Sequence, residues 1–195
     1  LVNAQDNTFV VENTYASETE LGDICYKYGN YAWAKSKYGA AARIAQRETS
    51  NTTSKFKRRV LGNQVVYTKV HAAMAAYKGG MADQAQEIID GLGVDYPEHP
   101  LIPYGRGQLA LLRGNMDTTT AAFKASMEQD SRFRAASMAL GEYYLSQGFV
   151  DEAVALWKEF LKTSTENRHV RRCLKAVRAH TDTSKTNAEV QDSGQ

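Results

Sequence analysis

Gly80, Gly114 and Gly148 stand 34 residues apart, and similar residue types flank each of them. Repetition at that period means that one supersecondary unit is used several times, each copy burying its apolar face against its neighbours. The clearest copy runs from Arg134 to Asn167. Leu140, Gly141, Tyr144 and Leu145 recur at helical spacing, Gly148 ends that helix, and Asp151 to Leu161 form a second one with Ala153, Leu156, Trp157 and Phe160 inward. The unit is therefore a helix, a tight turn and an antiparallel helix. Earlier copies read Gly107, Ala110, Leu111, Gly114, Thr119, Phe123, Ser126; then Ala73, Ala76, Gly80, Ala85, Ile89, Leu92, Pro97; then Leu21, Gly22, Cys25, Gly29, Ala34, Tyr38, Ala41.

Physical chemistry explains the recurring types. Gly or Ala where two helix axes cross lets the backbones approach, and the aromatic is expected to fill the wider gap between neighbouring hairpins. The three prolines lie between Pro97 and Pro103, so long helices are permitted on either side. Gly29 precedes Gly80 by 51 residues, 17 more than one repeat, which requires an insertion between the first two copies. The polar run Glu48 to Ser54 has loop composition, and Lys55-Phe56-Lys57-Arg58-Arg59-Val60-Leu61 then resumes an amphipathic pattern. A surface loop followed by an elongated first helix is predicted.

Glu166 to His180 reads as a capping helix. Val170, Cys173, Leu174 and Val177 form its apolar stripe, while Arg168, Arg171, Arg172, Lys175 and Arg178 make a basic surface that is either the solvated end of the array or a site for an acidic partner or lipid headgroup. The expected organisation is an extended segment over 1–14, a helical repeat domain over 15–180, and a tail over 181–195 without apolar period, read as disordered. Within the domain the units fall near 15–48, 55–99, 100–133 and 134–167, with the cap over 166–180. Leu1 to Ala4 resemble the end of an export signal, which implies a periplasmic or secreted protein; read as an arbitrary starting point, they imply a cytoplasmic one.

Small residues at two points of the hairpin, an aromatic on its second helix and a 34-residue step resemble the tetratricopeptide repeat (TPR). The family's Leu-Gly pair on the first helix is met by Leu21-Gly22 and Leu140-Gly141 and half met by Arg106-Gly107; its later Ala is Ala34, Ala85 and Ala153 but Thr119 in the third unit. Its aromatic is Tyr38, Phe123 and Trp157, with Ile89 substituting once, and its closing Pro appears as Pro97. The resemblance spans about residues 15 to 167 and implies an all-α, right-handed superhelical solenoid of about four antiparallel hairpins with a C-terminal capping helix.

The resemblance also places first-helix residues along a concave groove: Asp23, Tyr26 and Lys27; Tyr67, Val70, Met74, Tyr77 and Lys78; Tyr104, Gln108 and Leu111; Met138, Glu142 and Leu145. Leu111 and Leu145 fit a core position equally well. A groove of that aromatic and apolar character suits an amphipathic helix or an extended apolar segment of another protein. The Lys and Asn pairs with which chaperone-binding members hold a terminal carboxylate are replaced by Thr19 and Asp23, Val70 and Met74, and Tyr104 and Gln108. That clamp is absent.

Little in the sequence speaks for catalysis. His71, His99, His169 and His180 are scattered, and no phosphate loop or nucleophile elbow is present. Cys25 and Cys173 each lie on an apolar face, so no disulfide framework, metal site or cofactor is expected. A net charge of +2 gives no reason to expect specific nucleic-acid binding, and no run reaches the roughly 20 apolar residues of a membrane span. The chain reads as a non-catalytic scaffold or assembly factor; the alternatives are homotypic assembly through the repeat surfaces and an enzyme with an unrecognised site.

Overall fold

The computed structural model describes residues 13–179, which form nine helices and no strand. The export-signal reading of Leu1 to Ala4, His180 of the cap and the tail over 181–195 lie outside the described residues. The helices are α1 (Tyr15–Lys27), α2 (Tyr31–Ser50), α3 (Lys55–Lys78), α4 (Ala82–Asp95), α5 (Leu101–Leu112), α6 (Met116–Gln129), α7 (Arg134–Ser146), α8 (Val150–Thr163) and α9 (168–179). The chain divides into two compact units between Pro97 and Glu98. The first stacks the hairpins α1–α2 and α3–α4; the second stacks α5–α6 and α7–α8 and adds α9. Within each unit this is the all-α hairpin-repeat architecture of a helical solenoid.

One turn serves all four hairpins. Gly29, Gly80, Gly114 and Gly148 sit at φ +78, +81, +71 and +83°, the left-handed conformation that costs a side-chain-bearing residue steric strain. In the last hairpin the Gly148 N–H bonds to the Leu145 carbonyl and the Phe149 N–H to Tyr144, which satisfies two carbonyls that the end of α7 leaves orphaned. The residue after each glycine is already the N-cap of the next helix. Where it is Asn30 or Asn115, its side chain also accepts from the amide three residues on, Trp33 or Thr118.

The hairpins close on a glycine and a ring 16 residues later. A Cβ on Gly22 would lie 2.7 Å from the Tyr38 ring, one on Gly107 2.6 Å from Phe123, and one on Gly141 2.3 Å from Trp157. Each ring therefore lies against the glycine of its own hairpin, where the sequence pattern had suggested a filler between hairpins. Tyr38 also clusters with Ala72 and Ala75 of the next helix, so one ring serves both contacts. At the same register the second hairpin has Ala73 and Ile89, both fully buried: the methyl group that a ring excludes is admitted where the opposing side chain is smaller. Thr119, the odd residue at the alanine position, is buried with its hydroxyl donating to the Asn115 carbonyl at 2.6 Å, so no polar group is left unpaired.

The 17-residue insertion is taken up by helix. At 20 residues α2 exceeds α8 by six, and at 24 residues α3 exceeds α7 by eleven. The predicted long α3 is present, but Glu48 to Ser50 belong to the last turn of α2 and the connection shrinks to 51–54. The polar composition misled because Thr49 and Ser50 donate their hydroxyls to the Ala45 and Gln46 carbonyls, four residues back within the helix. The extensions pack on each other through Ala45, Leu61 and Val65, flanked by Tyr15 and Tyr96. In the second unit Val170 and Leu174 of α9 join Met138, Trp157 and Phe160 in one cluster, with Cys173 and Val177 beside them.

Candidate protein-binding site

In the second unit, α5, α7 and α9 line a recess of about 580 Å³. Tyr104 and Gln108 come from α5, Arg134, Ala135, Met138, Ala139 and Glu142 from α7, Phe133 from the loop before α7, and His169 from α9. One face of α7 supplies 135, 138, 139 and 142, the spacing at which helical side chains stack. Tyr104 is held on two sides: its ring lies 5.7 Å from Phe123 and 5.6 Å, edge to face, from Phe133. Its hydroxyl accepts from the Gln108 side-chain amide at 3.0 Å. Met138 is almost fully buried and forms both core and wall, while Arg134, Glu142 and His169 are exposed at the rim. His169 Nε2 is 4.0 Å from Cys173 Sγ, whose thiol is pushed up by burial and then by the Glu142 charge.

Of the six residues expected on these helices, Tyr104, Gln108, Met138 and Glu142 are thus brought together, while Leu111 and Leu145 do not line the recess. Phe133, Arg134 and His169 were not foreseen. Phe133 precedes its helix, and only the spacing of His169 to Cys173, four residues on one face of α9, hinted at its direction.

In the first unit α1, α2 and α3 assemble a second constellation. Tyr38 donates its phenol proton to Asp23 Oδ1 at 2.7 Å, and His71 packs between two rings, 4.3 Å from Tyr67 and 5.4 Å from Tyr38. Burial holds the His71 imidazole below its ordinary value and Asp23 partly opposes this, so the ring is neutral near pH 7. Burial and then Asp23 raise the Tyr67 phenol; for Tyr38 burial leads and the bond to Asp23 adds to it. Tyr26 stands edge-on to Tyr31 at 5.4 Å, and burial raises its phenol as well.

Of the residues expected to line this part of the groove, Asp23 and Tyr67 meet in the constellation and both are exposed. Tyr26 is half-buried, and Lys27 lies over the Tyr28 ring at 5.8 Å. Met74 and Tyr77, half-buried, and Lys78, exposed, continue along α3. Val70 is a correction: it is fully buried and belongs to the core, because α3 packs on both α2 and α4 and has more than one inward face. Leu145 likewise packs on the cluster around Trp157. Tyr38 and His71 were not assigned to a site from the sequence, although His71 lies one helical turn from Tyr67.

The basic residues of α9, Arg168, Arg171, Arg172, Lys175 and Arg178, are exposed. Arg171, Lys175 and Arg178 join Lys158 of α8 around a shallow recess floored by Leu161 and Leu174. Among the described residues no three His, Cys, Asp or Glu side chains converge as a metal site, and no helix is long and apolar enough to cross a membrane.

These elements define an all-α protein of repeated helix–turn–helix hairpins. No family model and no curated protein sequence matches the chain. Similar solved structures include the thermophilic TPR protein TTC0263 of Thermus thermophilus, 18% identical over 84% of this chain and 98% of that one, TM-score 0.48. A MamA mutant is 17% identical over 86% of this chain and 88% of its own, TM-score 0.43. Yeast Tom70 is 14% identical over 87% of this chain, which corresponds to 41% of that protein, TM-score 0.46.

Proposed function

We propose that the protein is a non-catalytic interaction module that holds a segment of a partner protein against the first-helix faces of its hairpins, with the recess between α5, α7 and α9 as the anchoring site. The observation that carries this reading is the recess itself: a braced aromatic wall of Tyr104 and Phe133, an apolar floor of Ala135, Met138 and Ala139, and a rim of Arg134, Glu142 and His169. Such a surface takes an apolar side chain into its centre and leaves polar groups to fix the direction of the bound segment. An amphipathic helix or an extended apolar segment meets that requirement.

Panning a displayed peptide library on the full chain and on Tyr104→Ala tests the reading. Wild type is expected to enrich peptides with a shared apolar anchor, and Tyr104→Ala to lose them with helical content unchanged. Equal enrichment by both proteins would remove the recess from the site. Enrichment of peptides that match the chain's own segments would favour homotypic assembly.

A further inference from the structure

The constellation around Asp23 has a charge without a counter-charge. Asp23 is exposed and receives one hydrogen bond, from the Tyr38 hydroxyl to Oδ1; among the described residues no Lys or Arg forms an ion pair with it. His71, whose imidazole feels the Asp23 charge, is packed between the Tyr38 and Tyr67 rings and gives no counter-ion at neutral pH. The carboxylate thus stands where three helices meet, with the Tyr38 ring buried against His71 and Tyr67, on the other side of His71, the exposed ring of the cluster. Aromatic faces attract cations through their quadrupole.

We infer that Asp23, held by the buried Tyr38, and the exposed Tyr67 form a seat for a guanidinium group, and that the segment bound by the first unit presents an arginine there. Arginine fits better than lysine because its planar head bonds a carboxylate with one edge while its face stacks on a ring. The free Oδ2 and the remaining lone pair of Oδ1 are both acceptors for such an edge. This inference rests on the reading of the chain as a binder of protein segments, and it adds the chemistry of one partner residue at a site separate from the α5–α7–α9 recess.

The test is titration of the full ¹⁵N-labelled chain with N-acetyl-arginine amide, with the lysine and norleucine amides as comparators. Saturable shifts are expected at the amides of Asp23, Tyr67 and His71 with the arginine compound, weaker ones with lysine and none with norleucine. Asp23→Asn keeps an acceptor for Tyr38 and so keeps the fold; it should weaken arginine binding by up to about fivefold, the effect of losing one partly screened charge. Tyr67→Ala should weaken it and Tyr67→Phe should not. Unchanged affinity in Asp23→Asn, equal shifts with norleucine, equal affinity for lysine, or no saturable shift at millimolar ligand would each overturn the inference. Equal peptide enrichment by wild type and Tyr104→Ala while arginine still binds at Asp23 strikes the recess alone, and loss of peptides by Tyr104→Ala with no arginine binding at Asp23 strikes the seat alone.

Discussion

Replacing Gly107 by alanine sets two known effects against each other. Alanine in a helix interior is favoured over glycine by about 1 kcal/mol. Against that, the new Cβ would lie 2.6 Å from two carbons of the Phe123 ring, a distance that forces the hairpin apart or the ring off its rotamer. Overpacking of this kind costs about 1–3 kcal/mol, so the net loss is about 1 kcal/mol. Phe123→Ile alone leaves a cavity and costs about 1–2 kcal/mol. The two together recreate the pair that Ala73 and Ile89 already form one repeat earlier, so the double variant should lose less than the sum. The coupling is expected at about 1–2 kcal/mol. Because the chain has two compact units, amide hydrogen exchange at Leu109, Ala110 and Phe123 is the suitable assay; a whole-chain melt mixes the units. Additive effects within about 0.5 kcal/mol, or stabilisation by Gly107→Ala alone, would refute the account of the crossing.

Gly141→Ala should cost more than Gly107→Ala in the same exchange measurement. Trp157 is pinned by its indole N–H donating to the Ser137 carbonyl at 3.1 Å and cannot yield to the new methyl group. Gly148→Ala places a side chain at φ +83° and should cost about 1 kcal/mol by urea titration, whereas Gly91→Ala, with open space around it, should be neutral or stabilising by up to about 1 kcal/mol. His71 titrates below its unfolded value of about 6.5, so the unfolded state binds the extra proton first as pH falls. The first unit should be fully stable above that value and lose stability as pH drops through the folded one; His71→Gln should flatten this dependence in exchange measurements at α3 amides.

The repeat was readable from sequence because its two geometric constraints leave residue identities behind. A left-handed turn demands glycine, and a close crossing demands a small residue opposite a large one; Gly148, Gly141 and Trp157 carry both marks within 17 positions. Helix ends were less readable where hydroxyls satisfied by the preceding turn resemble a loop, as at Thr49 and Ser50. The groove was half readable. The tetratricopeptide resemblance pointed to Tyr104, Gln108, Met138 and Glu142, but on the doubly packed α3 it could not separate exposed Tyr67 from buried Val70. Contacts that unite three helices, such as Tyr38 and His71 with Asp23, depend on how the hairpins stack and leave no local pattern.

The most direct test places a photo-reactive benzoylphenylalanine at Gln108, inside the recess, and separately at Lys124, an exposed residue of α6, in the protein expressed in its own cells. Crosslinks to another protein from position 108 and not from position 124 are the predicted result. Crosslinks from 124 alone, or adducts only between copies of the chain, would contradict the account.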